Sequence, residues 1–67
     1  MANLVEGIQQ QCNRVRDELI PLYQEIGAAG QFGLIMLRAA VTEGEAAIAS
    51  GDVVRMVRAF KELEGCQ

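Results

Sequence analysis

Histidine and tryptophan are absent from this chain of 67 residues, and serine, threonine, lysine and proline occur once each, as Ser50, Thr42, Lys61 and Pro21. Without histidine, nucleophile–base pairs of the Ser–His or Cys–His kind cannot be assembled. Two cysteines, Cys12 and Cys66, are too few for a disulfide framework. With no histidine beside them they cannot complete a four-ligand zinc site in one chain. Cys12 lies among apolar residues at helical spacing, which favours an inert core thiol over a nucleophile. Glu43 and Glu45 are two positions apart and diverge by about 200° on a helix, so they make no acid–base pair. Glu18 and Glu25 share a face but read as solvated flanks. No catalytic residue, metal or cofactor is therefore expected, and the chain is read as a non-enzyme.

Other absences bound its surroundings. The first residues, Met1-Ala2-Asn3-Leu4-Val5-Glu6, have neither the basic nor the apolar region of a signal peptide. No apolar run approaches the ~18 residues that span a bilayer. A reducing cytoplasmic location with two free thiols is expected, with no membrane partner. The net charge of −3 disfavours direct nucleic-acid binding, which needs a basic face. Five of the six cations are nonetheless arginine: Arg14, Arg16, Arg38, Arg55 and Arg58. Guanidinium is the group best suited to gripping carboxylate or phosphate. A chain this short buries only about 60% of its unfolded surface, so self-association is the expected extra source of stability.

What is present is helical periodicity. Asn3 suits an N-cap, with Glu6 three residues on. Val5, Ile8, Cys12, Val15, Leu19, Leu22 and Ile26 then recur at alternating spacings of three and four, a heptad stripe along a helix roughly 35 Å long. Pro21 falls inside it, yet the stripe continues in phase, so a kinked helix is expected rather than a break. A second helix runs from Gly30–Phe32 to Ala49, with Leu34, Leu37, Val41 and Ile48 apolar. Beside them Gly33, Ala40, Gly44 and Ala47 make a small-residue stripe suited to a close crossing. Gly51 suits a left-handed C-cap and Asp52 an N-cap. A third helix, with Val53, Val57, Phe60 and Leu63 facing inward and Val54 and Met56 widening the stripe, ends at Gly65. The expectation is a single all-α domain over 1–67: three antiparallel helices, the first long and kinked, homo-oligomeric through Val5, Ile8, Cys12, Val15, Leu19, Ile20 and Leu22.

The segment Gly27-Ala28-Ala29-Gly30-Gln31-Phe32-Gly33 joins the first two helices. Foremost it is a hinge that lets them pack closely. It also opens a helix, so the N–H groups of Gln31, Phe32 and Gly33 are candidate donors to an anion. It lacks the Gly-Lys-Ser/Thr ending of a phosphate-binding P-loop. Tyr23 and Phe32 flank it with aromatic faces on which bases stack. The ligand-site expectation comprises Arg16, Tyr23, Gly30, Gln31, Phe32, Gly33 and Arg38.

The stretch from Gln31-Phe32-Gly33 through Ala49-Ser50-Gly51-Asp52-Val53-Val54 to Phe60-Lys61-Glu62-Leu63-Glu64-Gly65-Cys66, with Asn13-Arg14-Val15-Arg16 and the hinge, resembles short proteins carried by tailed phages and prophages of proteobacteria. The resemblance implies an accessory role exercised by stoichiometric binding in the bacterial host. Some phage sponges for cyclic nucleotides are also small helical oligomers, although none of their motifs occurs here. The first expectation is thus a sponge for a small anionic nucleotide signal of antiviral defence. The alternative is a protein–protein inhibitor of a host protein, by anti-CRISPR-like or nucleic-acid-mimic action. It would use apolar residues such as Ile20, Ile35 and Met36. A structural or assembly factor is the third.

Overall fold

The computed structural model describes residues 3–67, which form an all-α fold with no strand among the described residues. Among these residues four α-helical segments occur: α1 (Leu4–Arg14), α2 (Ile20–Ile26), α3 (Gln31–Ser50) and α4 (Val53–Glu64). The expected three helices are corrected to two unbroken helical runs, 4–50 and 53–64, the first with irregular turns at Val15–Leu19 and Gly27–Gly30. A π-helical turn, Val15–Leu19, joins α1 to α2 without a break. Pro21 supplies the reason. It has no N–H to donate, and the backbone accommodates this one turn earlier, where Ile20 N–H donates to Val15 O, five residues back.

The π turn has a consequence that heptad spacing conceals. It holds one residue more than an α turn, so every later side chain is rotated by about 100° relative to the stripe before it. Ile8, Cys12 and Val15 are buried, as the stripe requires. After the turn the inward position passes from Leu22 to Tyr23, which is half-buried and packed on the core. Leu22 and Ile26 are left 57% and 58% exposed.

Local signals set the helix ends. Asn3 Oδ1 accepts from Glu6 N–H at 2.8 Å, and Asp52 Oδ1 accepts from Val54 and Arg55 N–H at 3.0 and 3.3 Å. Each satisfies donors that a first turn leaves unpaired. Gly51 closes α3 in the left-handed region, with φ 71° and ψ 5°. Gly27 also has positive φ, 77°, but its ψ of −137° is not that of a left-handed cap. It leads instead into a short 3-10 segment, Gly27–Gly30, that runs directly into α3.

Helices α1, α3 and α4 pack against one another, and α2 packs against the start of α3. The close point is Gly44 of α3. A methyl group there would stand 3.0 Å from both Cys12 Sγ and Leu63 Cδ1 and 3.2 Å from Ile8 Cγ2. All three side chains are buried, so the absent Cβ is the space in which α1 and α4 meet α3. Ala40, Ala47 and Ala59 complete this close contact among the buried residues. Arg14 ties α4 back to α1. Its guanidinium donates to Leu63 O and Cys66 O at 2.8 and 3.1 Å, placing a cation where a helix C-terminus leaves carbonyls unpaired.

The inward face of α4 keeps Met56, Phe60 and Leu63 as expected but turns the three valines outward. Met56, Ala59 and Leu63 are buried, Phe60 is half-buried, and Val53, Val54 and Val57 are 62%, 60% and 39% exposed. Nearly every turn of α4 is apolar on more than one side, so its facing is decided by fit. Leu63 enters the Gly44 notch, and the Phe60 ring lies over Gly7, 3.0 Å from where a Cβ would be.

Candidate functional site

The expected oligomer stripe is the monomer's own core. Ile8, Cys12 and Val15 are at most 3% exposed within one chain, and Val5, Leu19 and Ile20 pack against that core as half-buried neighbours. Ile8, Cys12 and Val15, buried inside a protomer, have no surface to offer a second one. Of the seven, Leu22 alone is turned outward, by the π turn.

The hinge residues are also engaged locally. Gln31 N–H donates to Ala28 O, because the 3-10 segment continues into α3 and uses that donor. The ring of Tyr23 lies against Gly33, occupying the place a Cβ would take, and its hydroxyl donates to Gln67 O at 2.5 Å. Tyr23 is thus a packing and tethering residue, with one face covered. Phe32 is the reverse, 75% exposed and free to meet a partner. Gly30 is buried, with Ile26 Cβ and Tyr23 O close against it.

Arg16 lies elsewhere. It bonds Glu45 Oε1 at 2.7 Å and Asn13 Oδ1 at 3.2 Å. Glu45 is twelve residues beyond Gly33 on α3, about 18 Å along its axis. One protomer therefore does not bring Arg16 to the hinge. Arg38 is exposed on α3 and makes no ion pair among the described residues. Arg55 of α4 meets Glu43 of α3 in a two-point contact at 2.7 and 2.9 Å. Arg55 holds the Glu43 carboxyl below its ordinary range, chiefly by hydrogen bonding.

Arg16 instead rims an open groove of about 380 Å³ between α1 and α3, lined by Gln9, Cys12, Asn13, Arg16, Glu45 and Ile48. That volume is within the range of small-ligand sites. Gln9 and Asn13 of α1 and Arg16 of the π turn stand at i, i+4 and i+7, a spacing visible in the sequence. Glu45 and Ile48 come from α3, and only the fold pairs them with it. The groove offers two amides and a cation–carboxylate pair. Chemically it can orient a polar ligand but holds no activated nucleophile. Cys12 Sγ, at its floor, donates to Val41 O at 3.9 Å. Burial raises the pKa of its thiol, and Glu45 adds to this, so the thiol stays protonated at neutral pH. Among the described residues no three cysteine, aspartate or glutamate side chains gather to hold a metal ion.

A second surface is apolar: its α3 part holds Ile35 and Met36, exposed as expected, whereas its α4 part holds Val53 and Val57, expected inward. Val53, Val54 and Val57 form an outward group on α4, and Phe32, Ile35 and Met36 form another on α3 at 75%, 59% and 53% exposure. No helix among the described residues is long and apolar enough to cross a membrane. No family model, curated protein or solved structure matches the chain.

Proposed function

We propose that this chain is a non-enzymatic protein that acts by stoichiometric contact with another protein. In the phage setting its sequence resemblance implies, the partner is a host defence or regulatory protein in the bacterial cytoplasm. One observation carries this reading. Among the described residues eight large apolar side chains are between 39% and 75% exposed, and they fall in groups on single helices rather than singly. Grouped apolar surface of that kind marks interaction sites in proteins this small. The valine group of α4 is the face assigned to the host partner.

A nucleotide ligand is the second reading, favoured by the size of the Arg16 groove. Two features weigh against it. Glu45 already neutralises Arg16 and presents a like charge to a phosphate, and the Gln31 N–H and Tyr23 hydroxyl are engaged within the chain.

The test has two arms. Tagged wild-type protein is expected to retain one host protein at equimolar amounts, and Val54→Glu to lose it. A thermal-shift series with cyclic di- and trinucleotides and ADP-ribose is expected to show no stabilisation. A shift of several degrees with any of these ligands, lost in Arg16→Ala, would replace the protein-contact reading with the nucleotide one.

A further inference from the structure

Helix α3 has an outer face that does not suit water. Its twenty residues carry three charges, Arg38, Glu43 and Glu45, and both carboxylates are drawn sideways into ion pairs with Arg55 and Arg16. The line opposite the buried face, through positions 32, 35, 39, 42, 46 and 49, reads Phe, Ile, Ala, Thr, Ala, Ala, with no charge at all. A surface helix normally sets charged residues there, and one that is apolar all round is normally covered on all sides.

We infer that a second copy of this chain covers this face, forming an antiparallel two-fold dimer of α3 on α3. The identity of the occupant follows from how side-chain size changes along the face. Its first turns carry the large residues Phe32, Ile35 and Met36, and its later turns the small residues Ala46 and Ala49. A two-fold axis near the middle of α3 sets the large half of each copy over the small half of the other, so the surface is complementary to itself. The same axis brings the unpaired Arg38 of each copy alongside Thr42 and Glu45 of its partner, opposite charges on one flank.

At about 200 Å² for a whole large side chain, Phe32, Ile35 and Met36 expose roughly 370 Å². Two copies offer about 740 Å² from these side chains alone, and the exposed Ala39, Thr42 and Ala49 bring the face toward the ~1,000 Å² of a specific interface. This dimer leaves the α4 valines open, so it stands apart from the host-partner reading and is tested without any partner.

The experiment is sedimentation equilibrium of the purified full chain over a concentration series, with three variants. Wild type is expected at about twice the 7.3 kDa chain mass. Ile35→Glu and Ala39→Glu, both at exposed positions, are expected to keep their helical circular dichroism and sediment as monomers, with dissociation constants raised at least ~100-fold. Val54→Glu is expected to remain dimeric. A monomeric wild type at hundreds of micromolar would overturn the inference. So would a dimer unaffected by both α3 variants, or one dissociated by Val54→Glu.

Discussion

Gly44→Ala sets two known effects against each other at one position, which makes its sign informative. In an exposed helix interior the change stabilises by about 1 kcal/mol through backbone entropy. Here the added methyl would lie 3.0 Å from Cys12 Sγ, 3.0 Å from Leu63 Cδ1 and 3.2 Å from Ile8 Cγ2. Each neighbour must withdraw by a few tenths of an ångström, and Ile8 and Leu63, both 0% exposed, are enclosed by the core. Overpacking of this kind costs about 1–3 kcal/mol. The net expectation is destabilisation by about 1 kcal/mol, or a fall of roughly 4–8 °C in Tm for a domain of this size. Urea unfolding followed by circular dichroism would measure it. Cys12→Ala in the same background removes one of the three contacts, so the double variant should lose less than the sum of the singles. A Gly44→Ala protein more stable than wild type would refute the packing argument, since only an uncrowded helix position gains from that change.

Other expectations follow from the caps, ion pairs and thiols. Asp52→Ala removes the acceptor for Val54 and Arg55 N–H and should cost about 1 kcal/mol in the same urea assay; no loss would mean that α4 starts without its cap. Because Arg55 depresses the folded-state pKa of Glu43, that pair's contribution is present above the unfolded value of about 4.3 and is lost as pH falls through the lower folded value. Wild type should therefore lose more stability than Glu43→Gln between pH 6 and pH 3, and parallel pH profiles would contradict the pairing. Cys66 is half-buried and Cys12 buried, each with its pKa raised chiefly by burial. An aromatic disulfide reagent should label Cys66 first and Cys12 only in denaturant; equal native rates would show that α1 opens readily.

The features legible from sequence were those decided within a few residues. Asn3, Gly51 and Asp52 act through their own side chain or φ angle on the adjoining turn, and each stands where its chemistry indicated. Gly44 was legible for a related reason, because a glycine inside a strong helix pattern implies a close approach. Facing was harder to read. In α4 the apolar residues surround more than half the helix, so Val53 and Met56 were equally eligible for the core until Gly44 and Gly7 selected Leu63 and Phe60. In the first helix the heptad spacing ran smoothly past Pro21, and nothing in the hydrophobic pattern recorded the extra residue in the π turn. The site suffered accordingly. Arg16 and Tyr23 were placed together by counting along an unbroken helix, whereas the fold directs one to Glu45 and the other to Gly33 and Gln67.

The π turn at Val15–Leu19 also makes the rod from Leu4 to Ile26 into two parts whose facings are set separately. The front part is held by the Gly44 notch and cannot rotate without emptying the core. The rear part takes its facing from a single surplus residue. Deleting one residue within 15–19 would make the Ile20 N–H to Val15 O bond an ordinary α-helical one and leave Leu22, Tyr23 and Ile26 facing as they do. Rewinding the intact turn as α would instead carry Leu22 and Ile26 inward and swing the Tyr23 ring off Gly33, so the apolar surface at that end of the molecule depends on the winding of one helical turn.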